Sequence, residues 1–247
     1  MCEMKFSVVI PAHNEEKHIE QAIKSLLNQK INRGDYEIIA VDNNSTDKTS
    51  EIAKKSGADK VILETKRGTN MARNRGYLES EGEIIAFLDA DSIAPANWLS
   101  KIENDFKDEK VAAVSGPFDY GFKGIKNLAN HIFTDLFLPK VDKLLLFVFG
   151  RKGGVIIGGN FAVKKEVLDK IGGLPPLMFW GDDAIIAMII SRKKGRVVFD
   201  PKIAVKSSPR RFEKEGMSLE FSYIKAFLKA YFTVKKNGDF KIDDWKI

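Results

Sequence analysis

The chain has 247 residues, 44% of them hydrophobic and 30% charged, with 40 Lys and Arg against 34 Asp and Glu for a formal charge of +6. That is enough for one large domain or two small ones, it describes a soluble globular chain, and its one cysteine, Cys2, excludes an intramolecular disulfide framework and points to a reducing, cytoplasmic setting. The basic excess is mild and suits an anionic small molecule or an anionic membrane surface; no nucleic-acid recognition motif accompanies it, so no nucleic-acid partner is expected. The three histidines, His13, His18 and His131, lack zinc spacing. No charged and apolar leader precedes Phe6, so no signal peptide is expected, and no apolar run reaches the roughly 18 residues of a membrane span.

Phe6 to Ile10 reads as a buried strand stopped by Pro11. Asn14 is expected to cap a helix whose apolar face is Ile19, Ala22, Ile23, Leu26 and Leu27, with Glu15 and Glu16 in its first turn. Glu37 to Val41 is a second strand. It runs into Asp42-Asn43-Asn44-Ser45-Thr46-Asp47, turn and capping chemistry ahead of a helix through Ile52 and Ala53. Lys60 to Leu63, a helix over Gly68 to Gly76, and a strand over Glu83 to Leu88 follow. The alternation argues for a parallel sheet with helices on both faces. Val111 to Val114 is a further strand, closed by Gly116-Pro117.

Ile84-Ile85-Ala86-Phe87-Leu88 leads directly into Asp89-Ala90-Asp91. If the extended geometry continues, the two carboxylates share a face, and only a positive charge between them relieves their repulsion. A hard Mg²⁺ or Mn²⁺ ion, held partly by a substrate diphosphate, does this; a solvated Asp-rich turn is the alternative. The carboxyl end of a strand in an open α/β sheet is where ligands bind.

Beyond Pro117 the pattern changes. Ile125, Leu128, Ala129, Ile132, Phe133, Leu136 and Phe137 recur as an amphipathic helix ending before Pro139. Leu144 to Phe149 is apolar between Lys140, Lys143, Arg151 and Lys152, and reads either as core or as a lipid-facing segment. Gly158 to Val163 is a tight turn and short strand. Val163, Val167, Leu168 and Ile171 form a helix face capped by Gly172. Trp180-Gly181-Asp182-Asp183 opens an apolar helix through Ile190, and Val197 to Phe199 is a late strand. Ser207 to Phe212 is a basic loop. Ser218 to Lys235 is a helix apolar over most of its circumference, which belongs in a core or at a membrane interface. A loosely held tail, Asn237 to Ile247, follows.

Read together, the segments Val8 to Glu16, Val41 to Thr49, Ala72-Arg73-Asn74-Arg75-Gly76, Asp89-Ala90-Asp91, Gly159-Asn160-Phe161-Ala162 and Gly181-Asp182-Asp183 occur in an order that resembles the family 2 glycosyltransferases, over roughly residues 5 to 215. The resemblance implies an α/β GT-A (nucleotide-diphospho-sugar transferase) fold, with a mixed, mostly parallel central sheet and helices on both faces. It divides the chain into a nucleotide-sugar-binding half (1–117), an acceptor-binding half (118–215) and a C-terminal helix and tail (216–247). The implied activity is an inverting, metal-dependent transfer of a sugar from a nucleotide-diphosphate sugar, UDP- or GDP-linked, to an acceptor hydroxyl. The acceptor is small or lipid-linked, and the apolar segments leave open a peripheral contact at the inner face of the cell membrane.

On this resemblance Pro11, Ala12, Glu15, Asp42 and Asn44 take the nucleotide base and ribose. Arg67, Gly68, Asn70 and Arg75 form an anion site at a helix N-terminus. Asp91 binds Mg²⁺ or Mn²⁺, Asp89 reaches the metal or the ribose, and Ala90 lies between them. Asp183 is expected to take the proton of the acceptor hydroxyl, with Asp182 beside it. Asn160, Trp180, Arg210 and Arg211 are expected around the acceptor or a phosphate. The simpler alternatives are a dipole-favoured Glu15, an Asx-turn at Asp42, helix capping by Asp182 and a solvated basic loop at Arg210-Arg211.

Two departures stand out. The last-strand region reads Ala204-Val205-Lys206-Ser207-Ser208, where many relatives carry a third metal ligand. The Gln-x-x-Arg-Trp segment of processive members is absent, which implies addition of a single sugar. A sugar nucleotidyltransferase would want a Gly-rich phosphate loop after the first strand, and Pro11-Ala12-His13-Asn14 supplies none. A silent binding subunit would show a damaged Asp89, Asp91 or Asp183, and none is damaged.

Overall fold

The computed structural model describes residues 4–121, 140, 143–144, 147–148, 154–176, 182–193, 195–210 and 218–240. The first part of the chain runs β1 (Phe6–Ala12), α1 (Ile19–Leu27), β2 (Tyr36–Asp42), α2 (Thr49–Lys55), β3 (Lys60–Leu63), α3 (Thr69–Leu78), β4 (Ile84–Leu88), β5 (Ser92–Ile93), α4 (Trp98–Asp105), β6 (Val111–Ser115) and β7 (Phe118–Asp119). The remainder gives β8 (Asn160–Lys164), α5 (Lys165–Ile171), α6 (Asp182–Lys193), β9 (Arg196–Phe199), β10 (Val205–Ser207) and α7 (Ser218–Thr233). The amphipathic helix expected over 125–137 lies outside the described residues.

Seven strands form one sheet in the order β3-β2-β1-β4-β8-β6-β9, and β5-β10-β7 form a second, smaller one. Within the large sheet every pairing is parallel except those of β8, which runs antiparallel to both β4 and β6. The mixed, mostly parallel sheet that the family resemblance implies is therefore what the chain forms. β8 inserts between β4 and β6, so residues before and after Pro117 share one sheet.

Alternate residues of the central strands feed two cores. Val8, Ile10, Ile38, Ala40, Ala86 and Leu88 face α1 and α4, through Ile19, Ile23, Leu26, Trp98 and Leu99. Val9, Ile39, Val41, Ile85 and Phe87 face Ala72 and Tyr77 of α3 and Ile186, Ala187 and Ile190 of α6. Strands buried on both faces read as unbroken apolar runs, which is why β1, β2 and β4 show no polar alternation. Helix α6 is apolar all round for the same reason: its other side, Ala184, Ile185 and Met188, packs on Phe227, Ala230 and Tyr231 of α7. Among the described residues no helix is long and apolar enough to cross a membrane.

Two local expectations are corrected. Pro11 does not stop β1, which continues to Ala12 with Pro11 opposite Val41. The β4 ladder has already ended at Val9, so only one neighbour remains at that level and the missing N–H breaks no ladder on the other side. Asn14 does not cap α1; the helix starts at Ile19 with His18 at its N-cap, and Asn14 sits in the left-handed region at φ 56°. Of the apolar segment after Pro139, Lys140, Lys143, Leu144, Phe147 and Val148 are helical and exposed, Phe147 at 88%. In α7, Phe227 and Tyr231 are core, whereas Leu228 and Phe232 are exposed.

At the end of α4, Asp105 lies against Asp200, and one of its oxygens is buried without a partner. Burial, then the Asp200 charge, push the Asp105 carboxyl up to about 6. A carboxyl raised in the folded state contributes stability that is present below its ordinary range and lost as the pH climbs through about 6. Asp105→Asn is therefore expected to raise stability at pH 7–8 by roughly 1–2 kcal/mol after screening. It should also flatten the fall in melting temperature between about pH 4 and 7. An unchanged pH–melting curve counts against this origin.

Candidate active site

The chain visits β1, β2 and β3 in one direction across the sheet, then returns to place β4 on the other side of β1. Such a reversal opens a crevice at the carboxyl ends of the parallel strands. The loops after β1 and β2 meet there and are stitched together. Asn14 N–H donates to Ser45 Oγ at 3.0 Å, Thr46 N–H to Asn14 Oδ1 at 2.8 Å, and Glu15 N–H to Thr49 Oγ1 at 2.8 Å. Asn14 and Asn44, both at positive φ, turn the two loops toward each other. These cross-loop bonds, not helix capping, are what Asn14 supplies.

Asp42 is buried, and its Oδ1 accepts from the N–H of Ser45, three residues on, at 2.9 Å, which holds the loop after β2. Asn43 carries the joint onward: its Oδ1 accepts from Gly68 N–H at 2.8 Å and its Nδ2 donates to the carbonyls of Glu64 and Lys66. Pro11 and Ala12 are buried strand residues, and Ala12 O accepts from Asn43 N–H at 2.7 Å. Arg67 is exposed ahead of α3. Glu15, Asp42, Asn44, Arg67 and Gly68 thus gather at one edge of the crevice.

The extended geometry of β4 ends at Leu88. Ser92 N–H donates to Asp89 O at 3.0 Å, so Asp89-Ala90-Asp91 is a turn between β4 and β5, and the expectation of two side chains on one strand face is corrected. Each carboxylate finds its own cation. Asp89 Oδ1 lies 3.2 Å from Arg73 Nη2, and Asp91 Oδ2 lies 2.9 Å from Arg210 Nη2. Ala90 is buried beneath the turn.

Arg73 is only 5% exposed at its side chain and is the hub of the site. Its Nη1 donates to Asn70 Oδ1 at 3.2 Å, and its guanidinium carbon lies 5.7 Å from the centroid of the Phe161 ring. Beside it runs the Gly158-Gly159 turn that leads into β8. Asp89 N–H donates to Gly159 O at 3.0 Å, and Gly158 N–H donates to Asp183 Oδ2 at 2.9 Å. Two consecutive residues therefore link the turn after β4 to the start of α6. Gly159 has φ 86°, and a Cβ there would lie 2.1 Å from the Asp89 carboxyl carbon, so no larger residue fits.

Asp182 and Asp183 open α6. Asp182 Oδ1 accepts from Asp183 N–H and Asp183 Oδ1 from Ala184 N–H, so both also serve the helix N-terminus. Burial raises the Asp182 carboxyl against the lowering pull of Arg73. Burial, then the Asp182 charge, push Asp183 up to about 7, with the Gly158 and Ala184 N–H groups and Arg73 holding it back. A carboxylate tuned near neutrality has the proton affinity of a general base.

Three of the expected ligand residues have partners within the chain. Arg75 pairs with Glu79 at 2.8 Å on the exposed side of α3. The inward arginine is Arg73, whose spacing from Asn70 and Tyr77, three and four residues, is the helical signal that distinguishes it. Asn70 is fully buried; its Nδ2 donates to Pro175 O and its Oδ1 accepts from Arg73. Asn160 is fully buried as well: its Nδ2 donates to the carbonyls of Pro117 and Ile203, and its Oδ1 accepts from Trp98 Nε1. It pins β8 to the last part of the chain and has no face for an acceptor. Trp180 and Arg211 lie outside the described residues.

Hard carboxylate oxygens at a spot that already holds positive charge fit a divalent cation. Among the described residues no cluster of three or more His, Cys, Asp or Glu side chains could hold one unaided. Asp91 with Asp89 would hold Mg²⁺ or Mn²⁺ only with substrate phosphates completing the shell, the usual arrangement for Mg²⁺. Lys206, exposed on β10 opposite Ile93 of β5, adds no ligand.

Residues 7–172 match the model of glycosyl transferase family 2. The probable glycosyltransferase YdaM of Bacillus subtilis is 31% identical over 199 residues, 73% of this chain and 44% of its own. The dolichol-phosphate mannosyltransferase of Pyrococcus furiosus is 28% identical over 80% of this chain and 56% of its own. The chain thus spans about half the length of these relatives. The mannosyltransferase PcManGT from Pyrobaculum calidifontis, solved in complex with GDP-Man and Mn²⁺, superposes with a TM-score of 0.64 at 22% identity, over 94% of this chain and 70% of its own. At that identity the likeness concerns the fold.

Removing the Arg73 guanidinium takes a buried counter-charge from Asp89 and Asp182. Arg73→Met is expected to destabilise the chain by about 3–5 kcal/mol, whereas Arg75→Met, at an exposed i,i+4 pair, should change it by no more than about 0.5 kcal/mol. Urea unfolding of both variants measures the difference; equal losses would mean that Arg73 is not the hub.

Proposed function

Since this chain belongs to glycosyl transferase family 2, we propose that it transfers a sugar from a nucleotide-diphosphate sugar to an acceptor hydroxyl, with inversion at the transferred carbon. The observation that carries the reading is the Gly158-Gly159 link, which sets a carboxylate of raised proton affinity beside the acidic turn at the sheet's carboxyl edge.

In this reading Glu15, Asp42 and Asn44 line the nucleoside side of the crevice, with Arg67 and the N-terminus of α3 toward the diphosphate. Asp183 takes the acceptor proton as the acceptor oxygen bonds to the anomeric carbon and the bond to the diphosphate oxygen breaks. A single displacement needs only one such base, which is why inversion follows. Asp182 raises the proton affinity of Asp183 by its charge, and Arg73 limits that rise and fixes Asp89. A Mg²⁺ or Mn²⁺ ion at Asp91 and Asp89 would supply positive charge to the leaving diphosphate.

UDP- and GDP-linked sugars are both to be tested as donors. The GDP-Man complex of the Pyrobaculum protein and the lipid-linked substrate in the name of the Pyrococcus relative support trying GDP-mannose and polyprenyl phosphates. A lipid-linked acceptor also accords with Leu144, Phe147 and Val148, exposed beside Lys140 and Lys143.

Asp183→Asn is expected to lower kcat by about 10²–10⁴ while leaving donor affinity within a few-fold. Because the base must be ionised, wild-type kcat should rise with pH and level off above about 7. A variant of normal kcat, or a rate that falls across that range, would falsify the assignment. Liposome flotation tests the membrane contact: wild-type chain should float with anionic vesicles and Phe147→Glu should not. Failure of the wild-type chain to float on any vesicle removes that part of the reading.

A further inference from the structure

Arg210 reaches into the crevice and bridges two carboxylates that come from distant parts of the chain. Its Nε donates to Asp91 Oδ2 at 3.1 Å, its Nη2 lies 2.9 Å from the same oxygen, and Nη2 also hydrogen-bonds Glu15 Oε1. Glu15 follows β1, Asp91 follows β4 and Arg210 follows β10. The carboxylates are the embedded partners, 13% and 16% exposed at their side chains, whereas Arg210 is 44% exposed. Glu15 Oε2 is buried with no hydrogen-bond partner, so that carboxylate leans on the guanidinium for its stabilisation.

We propose that Arg210 is a built-in counter-ion that holds the cation's place at the donor site, so that a divalent ion is taken up together with a nucleoside diphosphate rather than before it. The proposal rests on the sugar-transfer reading for the identity of the ligands. A guanidinium keeps its proton at every relevant pH, so it cannot make way by titration. A divalent cation at Asp91 Oδ2 would lie against the guanidinium, like charge to like, on an oxygen that already faces both Nε and Nη2. A cation arriving alone must therefore break the charge-assisted bonds to Asp91 and crowd its charge against an Arg210 still held by Glu15.

A diphosphate changes that balance. It brings negative oxygens whose geometry suits the guanidinium fork, so Arg210 can leave Asp91 and Glu15 for a new anion by side-chain rotation. Cation and diphosphate then favour each other's binding by the same factor, as linkage requires. The same exchange frees Glu15, including its orphan oxygen, for a hydroxyl donor on the nucleoside.

The test is a titration of Mn²⁺ alone, and of Mn²⁺ with saturating UDP or GDP, into wild-type chain, Arg210→Gln and Arg210→Lys, with free Mn²⁺ followed by electron paramagnetic resonance. Wild-type chain should bind Mn²⁺ at least about tenfold tighter with nucleotide than without. Arg210→Gln should bind Mn²⁺ alone about tenfold tighter than wild type and gain less from nucleotide. Arg210→Lys, with the charge but not the fork, should fall between. In thermal melts Mn²⁺ alone should raise the melting temperature of Arg210→Gln more than that of wild type, which also shows that the variant is folded. If Arg210→Gln binds Mn²⁺ alone no tighter than wild type while nucleotide still promotes uptake, the counter-ion is overturned and the sugar-transfer reading stands. If no chain takes up Mn²⁺ with either nucleotide, both are overturned.

Discussion

Repulsion among carboxylates at one edge of the sheet is the constraint the rest of the site answers. Glu15, Asp89, Asp91, Asp182 and Asp183 all lie where the parallel strands end, and none is far from another's partner. In a half-buried crevice such a set would not stay ionised without compensating charge. The chain supplies two guanidiniums of opposite character. Arg73 comes from beneath, on α3, almost wholly buried and bonded on several sides. Arg210 follows β10, is 44% exposed at its side chain, and among the described residues bonds to the acids Glu15 and Asp91. A buried partner of this kind is permanent, because removing it leaves charges with no solvent to turn to. An exposed one is exchangeable, because water and other ions compete for it on nearly equal terms.

Helix α3 can bring Arg73 this close because it lies flush against the sheet. A Cβ at Gly76 would fall 2.3 Å from Val9 Cγ1 and 3.1 Å from Val41 Cγ2, so the helix approaches β1 and β2 as only glycine permits. Arg73 precedes Gly76 by three residues and shares its buried side. The close approach that looks like packing therefore also delivers the cation to the ends of the strands. Packing and electrostatics are one arrangement here, which is why the hub residue is buried in a helix rather than mobile in a loop.

Much of this was legible from the residues in order. Apolar runs named the strands, helical spacing named α1, α5 and α6, and the ordered motifs resembled the right family because each marks a strand end or helix start with unusual chemistry. The failures share a cause. Whether Asp89 and Asp91 continue a strand is decided by a turn hydrogen bond and by two arginines, one 119 residues away. Asn14 looked like a cap, but loop partners some thirty residues on claim it. Asn160 sat in a motif and read as an acceptor ligand, yet its amide serves Pro117, Ile203 and Trp98, partners that local pattern does not reveal. Arg73 and Arg75 are told apart by the helical period itself, since only Arg73 keeps the spacing of Asn70 and Tyr77.

The antiparallel direction of β8 has a consequence for the site that the parallel strands cannot supply. A strand parallel to β4 and β6 would reach the crevice with its carboxyl end, as they do. β8 instead begins there, so the turn that starts it, Gly158-Gly159, lies between its neighbours' ends. The Gly159 carbonyl accepts from Asp89 N–H, and the N–H of the preceding Gly158 donates to Asp183. The separation of the two acidic groups is thus set by backbone held between two ladders, and not by side-chain rotamers. Any residue with a Cβ at Gly159 would collide with the Asp89 carboxyl, whereas one at Gly158 would only touch Arg73 and Asp183 at ordinary contact distance. A fixed span of this kind lets the flanking side chains differ in what they bind while the reach from donor side to acceptor side stays constant.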